Sequence, residues 1–280
     1  MTLIESPENV SAPARALRTQ RPGRRRHAVL LLRVLVLAGA LLAWQAAVSF
    51  DLADPAFVSD PRTVVIALWE LLGTDELWSN LRTTVGEVLI AFGISTVLGV
   101  AAAIYLDRHA FVNAIFAPFL TALNSMPRIA LGPLFILWFG IGMTSKVVLA
   151  MSLGFFIVLV AMMGGLKNVD RDMLLMSRLH GASDGQLFWH VRLPWALPGL
   201  FAGLRLTIVY CTAGAVIGEM IAARSGLGLL LQTYSSQFNI ANVLAVLLIL
   251  VALVSLFTGI IELAERRLLR WSAGSTDVPG

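Results

Sequence analysis

Among the charged residues that lie inside apolar segments of this sequence, three are considered first as side chains that could do chemistry: Arg128, Arg205 and Glu219. No Ser-His-Asp set, metal-ligand cluster or G-x-x-x-x-G-K-[ST] phosphate loop accompanies them. The four histidines fall in tails or loops, where solvated side chains are expected. The single Cys211 lies in an apolar run as a small buried residue. The residue types therefore indicate neither a catalytic site nor a metal site.

Arg128 follows Pro127 near the middle of an apolar segment, and Pro133 comes one and a half turns later. A charged side chain at that depth costs about 2.5 kcal/mol or more on insertion scales. Proline removes a helix hydrogen bond, and a broken helix is tolerated in a membrane where it lines protein or a wet cavity. We expect this segment to line a transport path, with Arg128 favouring an anionic cargo. A structural arginine bonded to neighbouring carbonyls is the alternative.

Arg205 and Glu219 share a later apolar segment, where packing or gating roles are expected. Arg205 is near one end of it, from which a long side chain can snorkel to the membrane surface. Glu219 is near the other end, where it could pair with Arg82 or Arg224 or form part of a gate. Small residues on one helix face predict close packing, within the chain or between subunits: Gly199, Gly203, Gly214 and Gly218.

The composition requires a membrane. Of the 280 residues, 58% are hydrophobic and only 14% are charged, whereas a soluble domain has about 25% charged residues. The charges are missing from stretches of about 20 residues, the length that a helix needs to cross about 30 Å of hydrocarbon. The sequence predicts an all-α membrane protein with six transmembrane helices, near 28–50, 82–106, 113–139, 146–166, 197–222 and 241–263.

The polar segments outside these spans have their own predictions. Residues 1–27 and 271–280 are expected to be cytoplasmic tails, the first of them disordered. A signal peptide is the competing interpretation of the N-terminal region, but the apolar run to Phe50 is too long for one. Between the first two spans, residues 61–72 have apolar positions at helical spacing, which predicts a helix on the outer surface.

The distribution of basic residues predicts the orientation. With both termini inside, the cytoplasmic side holds 15 Lys and Arg residues and the outer side holds four: Arg62, Arg82, Lys146 and Arg224. Cytoplasmic loops of membrane proteins carry such an excess. The net charge of +4 is therefore better explained by membrane topology than by binding to nucleic acid.

The connection between the fourth and fifth spans, residues 167–196, is far longer than a helix bundle needs. Asp170 or Asp172 can cap a first short helix, and Gly181 can adopt the left-handed conformation that ends it. A second amphipathic helix starts near Ser183. Two such helices outside the bilayer must cover their apolar faces, either against lipid and their own bundle or against a cytoplasmic partner.

The spacing in this loop resembles the EAA loop of bacterial ABC importer permeases. Gly181 is followed by nine residues, then by Val191, Arg192, Leu193 and Pro194, as in that family. The Glu-Ala-Ala positions hold Leu175, Met176 and Ser177 instead. The resemblance implies that the loop docks an ATPase through these residues: Leu175, Met176, Ser177, Gly181, Ala182, Ser183, Leu187, Phe188, Leu193 and Pro194.

Further segments are similar to the nitrate, sulfonate and taurine branch of these permeases. They are Pro127–Leu134, Leu137–Gly142, Ser225–Gly228 and Glu265–Leu268. The resemblance covers residues of about 60 to 270, and its relatives also carry pyrimidines and vitamin precursors. It implies the type I importer fold and a non-enzymatic permease that moves a small solute, in the bacterial inner membrane.

The same resemblance implies the partners. A second permease copy, two ATPase subunits that bind ATP and Mg²⁺, and a soluble substrate-binding protein are expected, together with alternating access in the lipid bilayer. An ion-coupled secondary transporter is the main rival, but it predicts inverted repeats and acidic residues at the midplane, which the sequence does not display. A membrane-embedded enzyme would need convergent polar residues at one depth.

Overall fold

The computed structural model describes residues 22–50 and 55–269. The chain divides into two units, residues 1–52 and 53–280. The first unit contains one described helix, α1 (Pro22–Ser49). It begins at Pro22 rather than at the predicted position 28, and proline is favoured at a helix start. The rest of the predicted N-terminal tail and the C-terminal tail 271–280 lie outside the described residues.

The described part of the second unit is helical throughout and has no strand. Its elements are α2 (Pro55–Val58), α3 (Pro61–Leu72), α4 (Asp75–Arg108), α5 (Ala110–Ser125), a 3-10 turn (Arg128–Leu131), α6 (Gly132–Phe139), α7 (Met143–Lys167), α8 (Arg171–Leu179), α9 (Asp184–Leu187), a π-helical turn (Phe188–Arg192), α10 (Leu193–Ile221), α11 (Leu227–Ser236) and α12 (Ile240–Leu268).

The predicted all-α membrane fold is confirmed. By length and composition, five helices of the described residues can cross a membrane: α1, α4, α7, α10 and α12. A sixth span results if α5 and α6 count as one bent pair. Arg108, Lys167 and Leu193 lie at one end of α4, α7 and α10, which we call the loop end because α8 and α9 connect there.

The third predicted span, 113–139, is not one continuous helix. α5 and the segment Arg128–Phe139 meet at an angle of 82°. Met126 has extended backbone angles, as expected for a residue that precedes a proline. Pro133, which the sequence suggested as a second break, lies instead in the first turn of α6, where a missing N–H costs nothing. Pro127 alone therefore accounts for the interruption.

α7 and α10 form the most closely packed helix pair, and glycines make the approach possible. A Cβ atom on Gly203 would overlap Ala161, and one on Gly214 would lie 2.7 Å from Ala150 Cα. Gly199 faces Gly165 at an ordinary contact distance of 3.6 Å. The predicted small-residue packing therefore occurs here within the chain, between α10 and α7.

The end of the bundle opposite the loop end is covered by α3, α11 and the start of α12. Asp60 caps α3 by accepting hydrogen bonds from the Thr63 hydroxyl and backbone N–H, and these bonds lower the pKa of the Asp60 carboxyl. The helix has the predicted bounds, 61–72, and its apolar face packs on its neighbours. The buried residues of this cluster include Ala67, Leu71, Leu77, Leu227, Leu230, Ala245 and Val246.

Candidate functional site

The loop between α7 and α10 contains two short helices with defined caps. Asp170 precedes α8 and accepts a hydrogen bond from the backbone N–H of Asp172 at 2.9 Å. After α8 ends at Leu179, Gly181 has φ of +85°, in the left-handed region that favours glycine. The turn that the sequence predicts at Gly181 is therefore present.

The second short helix starts from a reciprocal cap. The backbone N–H of Gln186 donates to Ser183 Oγ at 3.3 Å, and the Ser183 N–H donates to Gln186 Oε1 at 2.9 Å. This arrangement satisfies two donors at the helix start. α9 then continues through the π-helical turn into α10, whose first turn contains Pro194. The loop is therefore joined to the fifth span without a flexible break.

Leu187 and Phe188 do not face outward. Their residues are only 3% and 4% exposed, and Phe188 belongs to a buried cluster with residues of α4, α7 and α10. The sequence analysis placed both in the docking surface. The structure buries them against their own bundle instead, so the apolar stripe of the second helix is covered within the chain.

The apolar face of α8 remains uncovered in the chain. Leu175, Met176 and Leu179 are exposed, Leu179 to 74%. A groove of about 620 Å³ lies between the two short helices, and it is lined by residues that include Met176, Ser177, Gly181, Ala182, Gln186 and Val191. The exposed surface that the loop offers is therefore α8 with this groove.

Two arginines fasten the loop to the bundle. Arg192 donates to Asp107 Oδ1 at 2.8 Å and to the Leu166 carbonyl at 3.2 Å, so it joins the start of α10 to the ends of α4 and α7. The Arg108 guanidinium lies 4.4 Å from the centre of the Phe188 ring, a cation–π contact. The sequence analysis did not single out Asp107, Arg108 or Arg192 as anchors.

Arg128 lies at the break between α5 and α6 and is bonded to protein. It donates to the carbonyls of Ser152 and Leu123 and, at 2.8 Å, to Asn124 Oδ1. Its guanidinium also lies 4.1 Å from the centre of the Phe156 ring. None of these partners carries a negative charge. The structural role that the sequence left open is therefore present, while the positive charge of Arg128 is not neutralised by an ion pair among the described residues.

Glu219 does not pair with Arg82 or Arg224, which corrects the expectation from the sequence. It is 1% exposed and accepts hydrogen bonds from the Thr84 hydroxyl and the Gly228 N–H, both at 2.7 Å. A Cβ atom on Gly226, where φ is +126°, would overlap its carboxylate. Glu219 therefore holds the turn before α11 against α4 and α10.

Arg205 pairs with Glu265 and so ties α10 to α12 near the loop end. The sequence analysis noted that this long side chain can snorkel to the membrane surface. In the structure, it pairs with a carboxylate on the neighbouring span. This contact matches the packing role that was expected. It also gives a function to Glu265, which the sequence analysis noted only as part of a similar segment.

Lys146 and Glu87 form a buried ion pair between α7 and α4. Lys146 is 4% exposed and Glu87 is fully buried, and the Glu219 carboxylate is close enough to interact with Glu87. The sequence analysis counted Lys146 as an outer charge and did not single out Glu87. A single glutamate in an apolar segment does not indicate which cation it will pair with in the folded protein.

Comparison with known proteins decides the class. The sequence pattern of the family described as "Binding-protein-dependent transport system inner membrane component" matches residues 95–270, well over half of the chain. The chain belongs to this family. The matched region contains the loop from Asp170 to Pro194, together with Arg128, Arg205 and Glu219, whereas Thr84 and Glu87 precede it.

Two relatives of this chain are transport permease proteins by name. The riboflavin transport system permease protein RibX of Chloroflexus aurantiacus is 33% identical over 235 residues, which cover 83% of this chain and 87% of RibX. The putative aliphatic sulfonates transport permease protein SsuC of Escherichia coli is 32% identical over 84% of this chain and 89% of SsuC. The expected ABC permease class, including its sulfonate-type branch, is confirmed.

The fold agrees with this assignment. A chain of the methionine ABC transporter MetNI in an inward-facing conformation superposes with a TM-score of 0.51 at 24% identity, over 78% of this chain and 98% of that one. This chain is therefore a membrane permease component of an ABC importer. Such a binding-protein-dependent system works with a soluble binding protein and an ATPase.

Proposed function

We propose that the chain docks its ATPase through α8 and the groove beside it, within the loop from Asp170 to Pro194. The observation that carries this proposal is the contrast between the two short helices. Leu187 and Phe188 anchor the second helix in the bundle, while Leu175, Met176 and Leu179 on the first remain exposed. An apolar face on a rigidly anchored loop is suited to transmit the motion of a partner to the spans.

The contact chemistry follows from the residues at the Glu-Ala-Ala positions. Leu175, Met176 and Ser177 offer no acidic anchor, so docking rests on apolar contact and shape. Methionine and leucine side chains adapt to irregular pockets. Gly181 sets the angle between the two helices, because its left-handed backbone fixes the direction in which the chain leaves α8. Ala182 and Ser183 then complete the turn.

The assembly that we propose is a pair of identical permeases with two ATPase subunits on the loop side. That side is the cytoplasm of a bacterial cell, and both termini lie there. ATP and Mg²⁺ bind to the ATPase, whose closed state favours one conformation of the spans through differential contacts. The spans then alternate between inward-open and outward-open states. ATP is hydrolysed in the ATPase subunits and not by this chain.

The cargo that we propose is a small organic anion of the sulfonate class. SsuC, whose name refers to aliphatic sulfonates, is 32% identical to this chain. Arg128 places a cation that has no carboxylate partner among the described residues at the break of the third span, beside Asn124 and Phe156. A groove of about 390 Å³ next to it is lined by residues that include Asn124, Phe156, Val160 and Leu206. The cation and the groove together suit a small anion with an apolar part.

A second cargo class is favoured by a different observation. The same groove has aromatic and aliphatic walls with Phe156 as its ring, and the RibX relative is named for riboflavin. A flat heterocycle could stack on such a ring. Transport of a sulfonate would depend on the positive charge of Arg128. Stacking of a heterocycle on Phe156 would not require that charge.

The test of the docking proposal is the substitution Gly181→Val in the purified complex. No atom lies near the missing Cβ of Gly181, so the change acts through backbone strain alone, which costs about 1–3 kcal/mol for an unfavourable conformation. We expect cargo-stimulated ATP hydrolysis to fall strongly, because α9 leaves α8 in a new direction. The bundle itself should still fold, because Gly181 lies in an exposed turn outside it.

Gly185→Val is the matched control. Gly185 lies four residues further along in α9, has open space around it and does not have a positive φ. Its variant should retain stimulation. Normal coupling in Gly181→Val, measured in a complex that still contains the ATPase, would reject the docking proposal.

A further inference from the structure

A cavity lies at the loop end, between α8 and the ends of α4 and α7. It has a volume of about 770 Å³. Five basic side chains line it: Arg108, Lys167, Arg171, Arg178 and Arg192. Only two carboxylates, Asp107 and Asp184, face the same space. The docking surface described above lies on a different groove, so the function proposed so far leaves this cavity unused.

The two carboxylates are each occupied by one arginine. Arg192 pairs with Asp107 at 2.8 Å, and Arg178 pairs with Asp184 at 3.2 Å. Arg108 rests on the Phe188 ring and keeps its charge. Lys167 and Arg171 form no ion pair within the part of the chain that the structure describes. Three positive charges therefore remain uncompensated around one cavity, and its protein walls concentrate their field.

An exposed apolar stripe on α4 leads to this cavity. Ile94, Leu98 and Tyr105 are exposed and follow one another at the helical spacing that places them on one face with Arg108. Near the same end of the bundle, Trp189 and Trp195 are also exposed. Aromatic side chains of this kind gather at the level of lipid headgroups. The cavity therefore combines cations at headgroup level with a track for a hydrocarbon chain.

We propose that this cavity binds the phosphate of an anionic lipid headgroup, with Lys167, Arg171 and Arg108 as the cations that contact it. Basic pockets between membrane helices on the cytoplasmic side bind such headgroups. The acyl chain lies along Leu98 and Ile94, which a soluble phosphate would leave uncovered. The proposal rests on the orientation proposed above, in which the loop end faces the cytoplasm.

A lipid in this position joins α8 to the bundle. Arg171 begins α8, whereas Lys167 ends α7 and Arg108 ends α4. A single phosphate that accepts hydrogen bonds from all three would fix the docking helix relative to two spans. Anionic lipid should therefore support coupling, although none of the three cations lines the groove between the short helices.

The experiment is native mass spectrometry of the full-length chain in mixed micelles of phosphatidylglycerol and phosphatidylcholine. The wild type should retain phosphatidylglycerol in preference to phosphatidylcholine. Removal of each cation near an anionic surface lowers affinity about fivefold, so K167A/R171A should lower this preference about 25-fold. Lys167→Arg with Arg171→Lys should restore it, because the charges are kept.

R266A/R267A is the matched control, since both residues are exposed basic residues at the loop end of α12, outside the cavity. An equal loss of preference in this variant would overturn the proposal, as would complete displacement of the lipid by millimolar inorganic phosphate. The same double variant is also purified with its ATPase. If K167A/R171A loses the ATPase while its lipid preference is unchanged, the cations contact the ATPase instead, and the proposal is overturned. The Gly181→Val result is independent of all of these outcomes.

Discussion

At the scale of single residues, Arg128 makes the structural contacts that the sequence offered as one alternative, and it keeps the positive charge that the other alternative requires. Three acceptors and a ring hold its guanidinium, yet no carboxylate neutralises it among the described residues. Hydrogen bonds to neutral carbonyls orient a cation without removing its field. Glu219 and Glu87 differ, because Glu219 accepts two hydrogen bonds inside the protein and Glu87 forms an ion pair with Lys146.

The charge of Arg128 can be separated from its hydrogen bonds. We expect Arg128→Gln to raise the cargo concentration for half-maximal uptake into proteoliposomes at least tenfold, since hydrogen bonds to charged groups contribute about 1.5–3 kcal/mol. Arg128→Lys keeps the charge and should change it far less. The cargo used is the compound that the cognate soluble receptor binds.

Equal uptake by the folded Gln variant and the wild type would leave Arg128 with a structural role only. A receptor that binds a neutral heterocycle, together with indifference to Arg128→Gln, would favour the second cargo class. Lower uptake by both variants, accompanied by a lower melting temperature, would show that the bonds to Leu123 and Ser152 matter more than the charge.

At the scale of elements, the packing of α7 against α10 determines how the core moves. Gly203 meets the methyl group of Ala161, and Gly214 meets the backbone of Ala150, so small residues let the two helices approach closely at these points. Interfaces of small residues permit close approach of membrane helices. We therefore expect α7 and α10 to move as one rigid body when the permease changes state. The bend at Pro127 lies beside this pair of helices.

The contact between Gly203 and Ala161 predicts a specific suppressor. Gly203→Ala should lower the melting temperature of the purified permease, because overpacking costs about 1–3 kcal/mol. Ala161→Gly removes the atom that the new methyl group meets and should restore most of the loss. Gly199→Ala is the control, since its nearest neighbour is 3.6 Å away.

Failure of Ala161→Gly to rescue Gly203→Ala would mean that the helices separate elsewhere than at this contact. A loss in Gly199→Ala as large as that in Gly203→Ala would show that the close contact with Ala161 is not the cause, since alanine has the higher helix propensity and Gly199 has room for a methyl group.

The elements differ in how far the sequence could predict them. The apolar runs place the spans, because the bilayer imposes a length that soluble folds do not have. The turn at Gly181 and the caps at Asp170 and Ser183 are local, so their residue types predict them well. The break at Pro127 was indicated by proline chemistry, but its angle of 82° depends on packing between segments distant in sequence.

The contacts that the sequence missed are all between distant segments. The sequence suggested Arg82 or Arg224 as partners of Glu219, yet its carboxylate accepts hydrogen bonds from a threonine of α4 and from a backbone N–H in the first turn of α11. Leu187 and Phe188 had the spacing of an exposed stripe, and burial by the ends of α4 and α7 reverses that interpretation. Periodicity identifies an apolar face, and only the tertiary structure tells which neighbour covers it.

At the scale of the whole molecule, the structure strengthens the prediction of orientation that rests on the distribution of basic residues. Lys146 is one of the four basic residues that the sequence assigned to the outer side, and it is buried against Glu87. The opposite end therefore exposes fewer cations than the sequence count suggests, while the loop end has the basic cavity. The charge asymmetry that orients membrane proteins is thus stronger than the sequence alone indicated.

This orientation can be measured with single cysteines, because Cys211 is the only native one and is fully buried. Ser79 is exposed near the start of α4, and Gly185 is exposed in α9 at the loop end. In intact spheroplasts, a membrane-impermeant maleimide should label Ser79→Cys and leave Gly185→Cys unlabelled until the membrane is permeabilised. The unaltered chain should remain unlabelled in both conditions and serves as the control. Labelling of Gly185→Cys in intact spheroplasts would invert the topology, and would place both the ATPase-docking helix and the basic cavity on the side that has no ATP.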